Sequence, residues 1–170
     1  MKDLDRFHLE AVAAVDKGWG VGHDGRLLAY VSPDLKHFKE LTLGRRVIYG
    51  RHTLATFPKG QPLPGRENVM LTHDPAFAAP GITVAHSLQE LAEILDKSDC
   101  GGNFVIGGAT VYAQLLPWCE RAYITRLHRS FDADCFLTDL DAHPAWRLAE
   151  AGEEQVWQDI PFSFCTYERV

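Results

Sequence analysis

Short apolar runs of strand length alternate along this chain with stretches whose apolar residues recur at helical spacing, and that alternation constrains the fold more than any other feature. Strands separated by helices pair in parallel, because each crossover returns the chain to the starting edge of the sheet. Residues 7–15 are apolar and end at Asp16-Lys17-Gly18, which predicts a buried first strand. Residues 33–43 have helical spacing, with Ser32 as the expected cap and Pro33 in the first turn. Val47-Ile48-Tyr49, ended by Gly50, predicts a second strand, residues 68–72 a third and Ile82-Thr83-Val84 a short fourth. Residues 87–96 place Leu88, Leu91, Ile94 and Leu95 at helical spacing, and Ser87 with Glu90 forms a capping box. Phe104-Val105-Ile106 is a fifth strand, followed by Gly107-Gly108 and a short helix to Leu116, stopped by Pro117. Residues 122–127 and 160–168 read as closing strands, a late antiparallel pair on a mainly parallel sheet. With 170 residues, no repeat and no linker, the expectation is a single α/β domain over residues 1–170.

Composition removes several classes of function. A net charge of -6 without any basic run argues against a nucleic-acid partner. No apolar run has membrane-spanning length, and the start Met1-Lys2-Asp3-Leu4-Asp5-Arg6 has acids where a secretory signal needs an apolar core. The four cysteines are scattered without CxxC spacing, as suits buried thiols in a reducing cytoplasm. Eight scattered histidines, with no HExxH or paired Cys/His spacing, leave no expected metal site, and no G-x-S-x-G elbow supports a serine hydrolase. Gly20-Val21-Gly22-His23-Asp24-Gly25 is literally G-x-G-x-x-G, yet the helix that must open at the third glycine waits until Pro33. These glycines are instead expected to form a long loop over a site.

The residue that points to chemistry is Asp34. Asp34, Leu35, Phe38 and Leu41 share one helical face, whereas Lys36, Lys39 and Glu40 point elsewhere. A carboxylate in an apolar stripe loses hydration and must recover it from a partner, a proton or a ligand. The alternative is a solvated first-turn acid favoured by the helix dipole.

Six motifs in order then resemble the dihydrofolate reductase family over nearly the whole chain. They are Ala14-Val15-Asp16 with Gly20-Val21-Gly22-His23-Asp24-Gly25-Arg26-Leu27; Asp34-Leu35 with Phe38 and Thr42; Val47-Ile48-Tyr49-Gly50-Arg51-His52-Thr53; Pro62-Leu63-Pro64-Gly65-Arg66 with Asn68; Val105-Ile106-Gly107-Gly108 with Val111-Tyr112; and Ala122-Tyr123-Ile124-Thr125. The resemblance implies a three-layer fold with a mixed, mostly parallel eight-stranded sheet flanked by about four helices. It also implies NADPH-dependent reduction of 7,8-dihydrofolate to tetrahydrofolate, in support of one-carbon metabolism, by a cytoplasmic monomer. By the same resemblance Asp34 and Thr125 are catalytic, Asp34 pairing with the pterin and Thr125 orienting it. Val12, Leu35, Phe38, Arg66 and Ile106 would bind substrate, with Arg66 on the glutamate tail. The cofactor would be held by Val12, Trp19 and Gly20; by Gly50, Arg51, His52 and Thr53; by Leu71, Thr72 and His73; and by Gly107, Gly108, Ala109, Thr110, Val111 and Tyr112. Arg51, Thr72 and His73 would meet its 2′-phosphate, and the Gly107-Gly108 peptide would be cis.

The chain also departs from the family pattern. Leu27-Leu28-Ala29 replaces Leu-Pro-Trp, leaving a corner for Tyr30 or Trp19 to fill. Glu10 aligns with an apolar pterin-facing position, which would set a second carboxylate near Asp34; a one-residue slip would leave it solvated instead. Rival readings are an NADPH-dependent reductase of another pterin or pyrimidine, riboflavin-pathway or methanopterin-type, and a binding module without turnover.

Overall fold

In the computed structural model, which describes residues 4–170, extended and helical segments follow the predicted order. The leader reading at Met1–Asp3 lies outside the described residues. The strands are β1 (Leu9–Val15), β2 (Gly20–Gly22), β3 (Arg46–Gly50), β4 (Glu67–Leu71), β5 (Ile82–Ala85), β6 (Asn103–Gly107), β7 (Cys119–Leu127), β8 (Cys135–Phe136), β9 (Trp146–Ala151), β10 (Gln155–Trp157) and β11 (Ile160–Arg169). The helices are α1 (Ser32–Thr42), α2 (Arg51–Leu54), α3 (Leu88–Lys97) and α4 (Ala109–Leu115). Among the described residues no helix is long and apolar enough to cross a membrane.

The main sheet runs β10-β11-β7-β1-β6-β3-β4-β5 across eight strands, and β9 adds to β11. Pairs β7–β1, β1–β6, β6–β3, β3–β4 and β4–β5 are parallel, whereas β11 runs antiparallel to β7, β9 and β10. The six parallel strands therefore deliver their carboxyl ends to one edge, where ligands bind in open α/β sheets. β3 is buried at every position, the pattern of a strand covered on both faces.

Two local expectations needed correction. Ser32 is not the cap of α1: Val31 holds that place without a side-chain bond, its carbonyl accepting from the Leu35 amide at 3.1 Å. Val31 is fixed instead by burial against Leu127 and Phe162. The first strand begins at Leu9, because Asp5–Phe7 coil into a 3-10 turn. At α3 the capping box holds with a shift: the Ser87 hydroxyl accepts from the Glu90 amide at 3.1 Å, while the Glu90 carboxylate accepts from the His86 amide.

Opposite the ligand edge lies a buried cation. Arg46, 1% exposed at the start of β3, donates to Glu67 on β4 (3.1 Å), to Asn103 on β6 (2.7 Å) and to the Ser98 carbonyl (2.9 Å). These partners join three neighbouring strands at their first residues.

Candidate active site

A cleft of about 1820 Å³ opens along the carboxyl ends of β1, β3, β4 and β6. It is bounded by α1, by the residues after β2, and by the starts of α2 and α4. A pocket for one drug-sized ligand is typically about 300–1000 Å³, so this cleft has room for two.

The apolar stripe of α1 opens onto that space at Asp34, Leu35 and Phe38, and packs against the core at Phe38 and Leu41. Thr42 is the one buried residue of α1, while Leu35 is 41% exposed and lines the cleft with Phe38 and Asp34. Apolar surface left uncovered beside a polar group is the mark of a binding face. Across from it, buried Thr125 on β7 donates its hydroxyl to Asp34 Oδ1 at 2.6 Å. Burial raises the pKa of Asp34, and the Thr125 hydrogen bond and nearby His37 oppose that rise. The cleft thus contains an oriented carboxyl group poised to titrate above its ordinary range. Thr125→Val is expected to move the acid limb of the kcat/KM profile to higher pH, because the ionised form loses its donor. An unmoved limb would deny Thr125 that role.

Arg66 also lines the cleft. Its Nε donates to Thr42 Oγ1 at 3.2 Å and its Nη1 to the Pro64 carbonyl at 3.0 Å. Its charge centre lies 5.9 Å from the Phe38 ring. Both bonds go to neutral oxygens, and among the described residues no carboxylate pairs with it. Burial lowers its proton affinity, although an arginine stays charged. An uncompensated guanidinium beside an apolar wall suits an anionic ligand tail.

At the far end, Gly50, Arg51, His52 and Thr53 line the cleft where β3 passes into α2, and Leu71, Thr72 and His73 do so at the end of β4. Gly107, Gly108, Ala109, Thr110, Val111 and Tyr112 line it from β6 and α4, with Ile106 and Val12 between them. The Gly107–Gly108 peptide is cis, and Gly107 has φ +126°, a conformation that L side chains rarely adopt. The Tyr112 hydroxyl donates to the Val12 carbonyl at 2.6 Å and ties α4 to β1. The donor set is that of a dinucleotide site: hydroxyls, histidines and an arginine for phosphates, and apolar side chains with bare backbone for a flat ring.

Three of the positions named from the sequence lie away from the cleft. Trp19 and Gly20 do not line the cleft. Trp19 has φ +65°, which reverses the chain and turns its ring into the core, 5.7 Å edge-on from Tyr167 and under the Arg126 guanidinium. Gly20 is sealed in, since a Cβ would fall 2.4 Å from that of Ala133, and its amide donates to Asp16. Trp19 therefore leaves the Leu28-Ala29 corner to Tyr30, which lines the cleft at its exposed rim. Glu10 faces Arg121, its cross-strand neighbour, at 3.5 Å and does not reach the cleft.

Sequence reasoning missed the residues that position the glycine loop. The Asp16 carboxylate accepts from the Gly18, Gly20 and Phe131 amides, and β2 pairs with β8. Asp134 accepts from the Asp24 amide at 2.9 Å and donates its own amide to the Gly22 carbonyl at 3.0 Å. Asp74, too, was overlooked, although it directly follows His73 and lines the same end of the cleft.

Comparison with known proteins settles the family. A sequence model described as dihydrofolate reductase matches residues 8–169. The chain belongs to the dihydrofolate reductase family. It is 33% identical over 161 residues to the dihydrofolate reductase of Bacillus subtilis (strain 168), covering 93% of this chain and 92% of that one. It is 35% identical over 131 residues to the dihydrofolate reductase type 3 of Salmonella typhimurium, covering 77% and 78%. Among solved structures, a dihydrofolate reductase from Enterococcus faecalis complexed with NADP(H) and RAB-propyl superposes with a TM-score of 0.82 at 31% identity, over 99% of each chain. Membership in the dihydrofolate reductase family agrees with the eight-strand order and with a cleft that pairs an acid with a dinucleotide donor set.

Proposed function

We infer that the protein reduces 7,8-dihydrofolate to 5,6,7,8-tetrahydrofolate with NADPH, as a single-domain cytoplasmic monomer. The observation that carries this reading is the Thr125-oriented carboxyl of Asp34 inside a cleft large enough for substrate and dinucleotide together. NADPH, when bound, supplies a hydride to C6 of the pterin. Asp34 accepts from the pterin 2-amino group and its neighbouring ring nitrogen, two donors on two carboxylate oxygens. Its raised proton affinity favours protonation at N5, delivered through water. Thr125 holds the carboxyl group in register, Phe38 and Leu35 cover the ring and benzoyl group, and Arg66 takes the glutamate carboxylate. That last contact favours folate over a heterocycle without such a tail. The four free cysteines support a reducing compartment.

An absorbance assay at 340 nm, comparing dihydrofolate with a reduced pterin that lacks the glutamate, tests the assignment. Turnover with equal kcat/KM for both substrates would reject the role of Arg66, and no turnover of dihydrofolate would reject the function. Arg51, at the start of α2, is assigned to the 2′-phosphate. Arg51→Ala is expected to narrow the preference for NADPH over NADH by about tenfold, the worth of a charge-assisted hydrogen bond. An unaltered ratio would remove that contact.

A further inference from the structure

Arg66 and Arg51, at the two ends of the cleft, differ in their electrostatic surroundings. Arg66 has no carboxylate partner, whereas Arg51 Nη1 donates to Asp74 Oδ2 at 3.1 Å. Asp74 is fixed in that position. Its Oδ1 accepts from the Ala76 amide at 3.0 Å, and its own amide donates to Thr72 Oγ1 at 3.2 Å. Arg51 is also steadied by the Phe77 ring, 5.7 Å from its charge centre. The end of the cleft assigned to the adenosine ribose thus holds a cation and an anion side by side, with Thr72, His52 and His73 around them.

These two charges favour different ligands. A guanidinium favours a ribose 2′-phosphate, whereas a carboxylate accepts a hydrogen bond from a free 2′-hydroxyl and repels a phosphate. A phosphate dianion that engages Arg51 must share it with the Asp74 carboxylate or displace it. Resting on the reading of the cleft as an NADPH site, we propose that Asp74 is a specificity-determining residue that restrains the preference for the phosphorylated cofactor and admits NADH as a second hydride donor. The stoichiometry is unchanged: NADH, a proton and dihydrofolate give NAD+ and tetrahydrofolate, with hydride added at C6 and the proton at N5.

The test is Asp74→Asn, which removes the charge and keeps the shape at a half-buried position. At fixed ionic strength and saturating dihydrofolate, kcat/KM is measured with NADPH and with NADH. Calorimetry supplies Kd values for adenosine 2′,5′-bisphosphate and adenosine 5′-monophosphate, which report the ribose site without turnover. The variant is expected to raise the NADPH-to-NADH ratio by about tenfold and to tighten the bisphosphate selectively. Asp74→Glu, which keeps the charge, is expected to stay closer to the parent ratio. A ratio that is unmoved or lowered by Asp74→Asn, or a bisphosphate Kd that does not fall, overturns the proposal. Absence of dihydrofolate turnover in the unmodified protein would instead sink the broader function, and the two nucleotide affinities would still decide the role of Asp74.

Discussion

Replacing Asp34 with asparagine is expected to preserve the fold while lowering kcat/KM at neutral pH by about 10²–10⁴-fold, the range that one acid–base group contributes. Asparagine can still accept the Thr125 hydroxyl, so the local geometry survives, but it cannot carry the charge that pairs with two pterin donors. The same substitution should have an opposite effect on stability. Burial raises the pKa of Asp34 above 3.8 in the folded protein. The stability linked to its protonated form is full below the unfolded value and is lost as pH rises through the folded one. At neutral pH the ionised side chain therefore weighs against folding, so Asp34→Asn should melt at a higher temperature at pH 7, with the gap closing on acidification. An inactive but stabilised variant is the signature of a group retained for chemistry. Near-normal kcat/KM would count heavily against the assignment.

Arg66→Leu is expected to weaken dihydrofolate binding by roughly 2–4 kcal/mol, the cost of removing one partner from a charge-assisted pair. That corresponds to a loss of about 30- to 700-fold in affinity, each tenfold being about 1.4 kcal/mol. Leucine keeps apolar contact with the Phe38 side of the wall, so the loss should appear with the glutamate-bearing substrate and largely vanish with a pterin that ends before the tail. A substrate Kd that does not change would withdraw Arg66 from the tail site. The bonds from Arg66 to Thr42 and Pro64 are partly exposed, so their removal should cost little in stability.

The succession of the main strands and helices along the chain and the acid were legible because both are written in local pattern. The short apolar runs at 47–49 and 104–106, each closed by glycine, read as buried strands, and α1 displayed its apolar stripe by spacing alone. What escaped was set by partners distant in sequence. Ser32 had the chemistry of a cap, but burial of Val31 against Phe162 fixed the start of α1. Trp19 lay beside the glycines, yet one positive φ sent its ring toward Tyr167. The pairing of β2 with β8 joins Gly20 to Phe136, and nothing within the glycine run announces that contact. Glu10 shows the same limit, since its neighbour Arg121 comes from β7.

The placement of Arg46 has a consequence for how this molecule can vary over time. Its ties to Glu67, Asn103 and Ser98 clasp the starts of three strands, and the four steps of β3 from Arg46 to Gly50 set it roughly 13 Å from the glycine that opens the cleft. One buried polar tie thus sits at one pole and the ligand-facing residues at the other. Substitutions among the groups that face the cofactor end can therefore leave the tie at the opposite pole untouched.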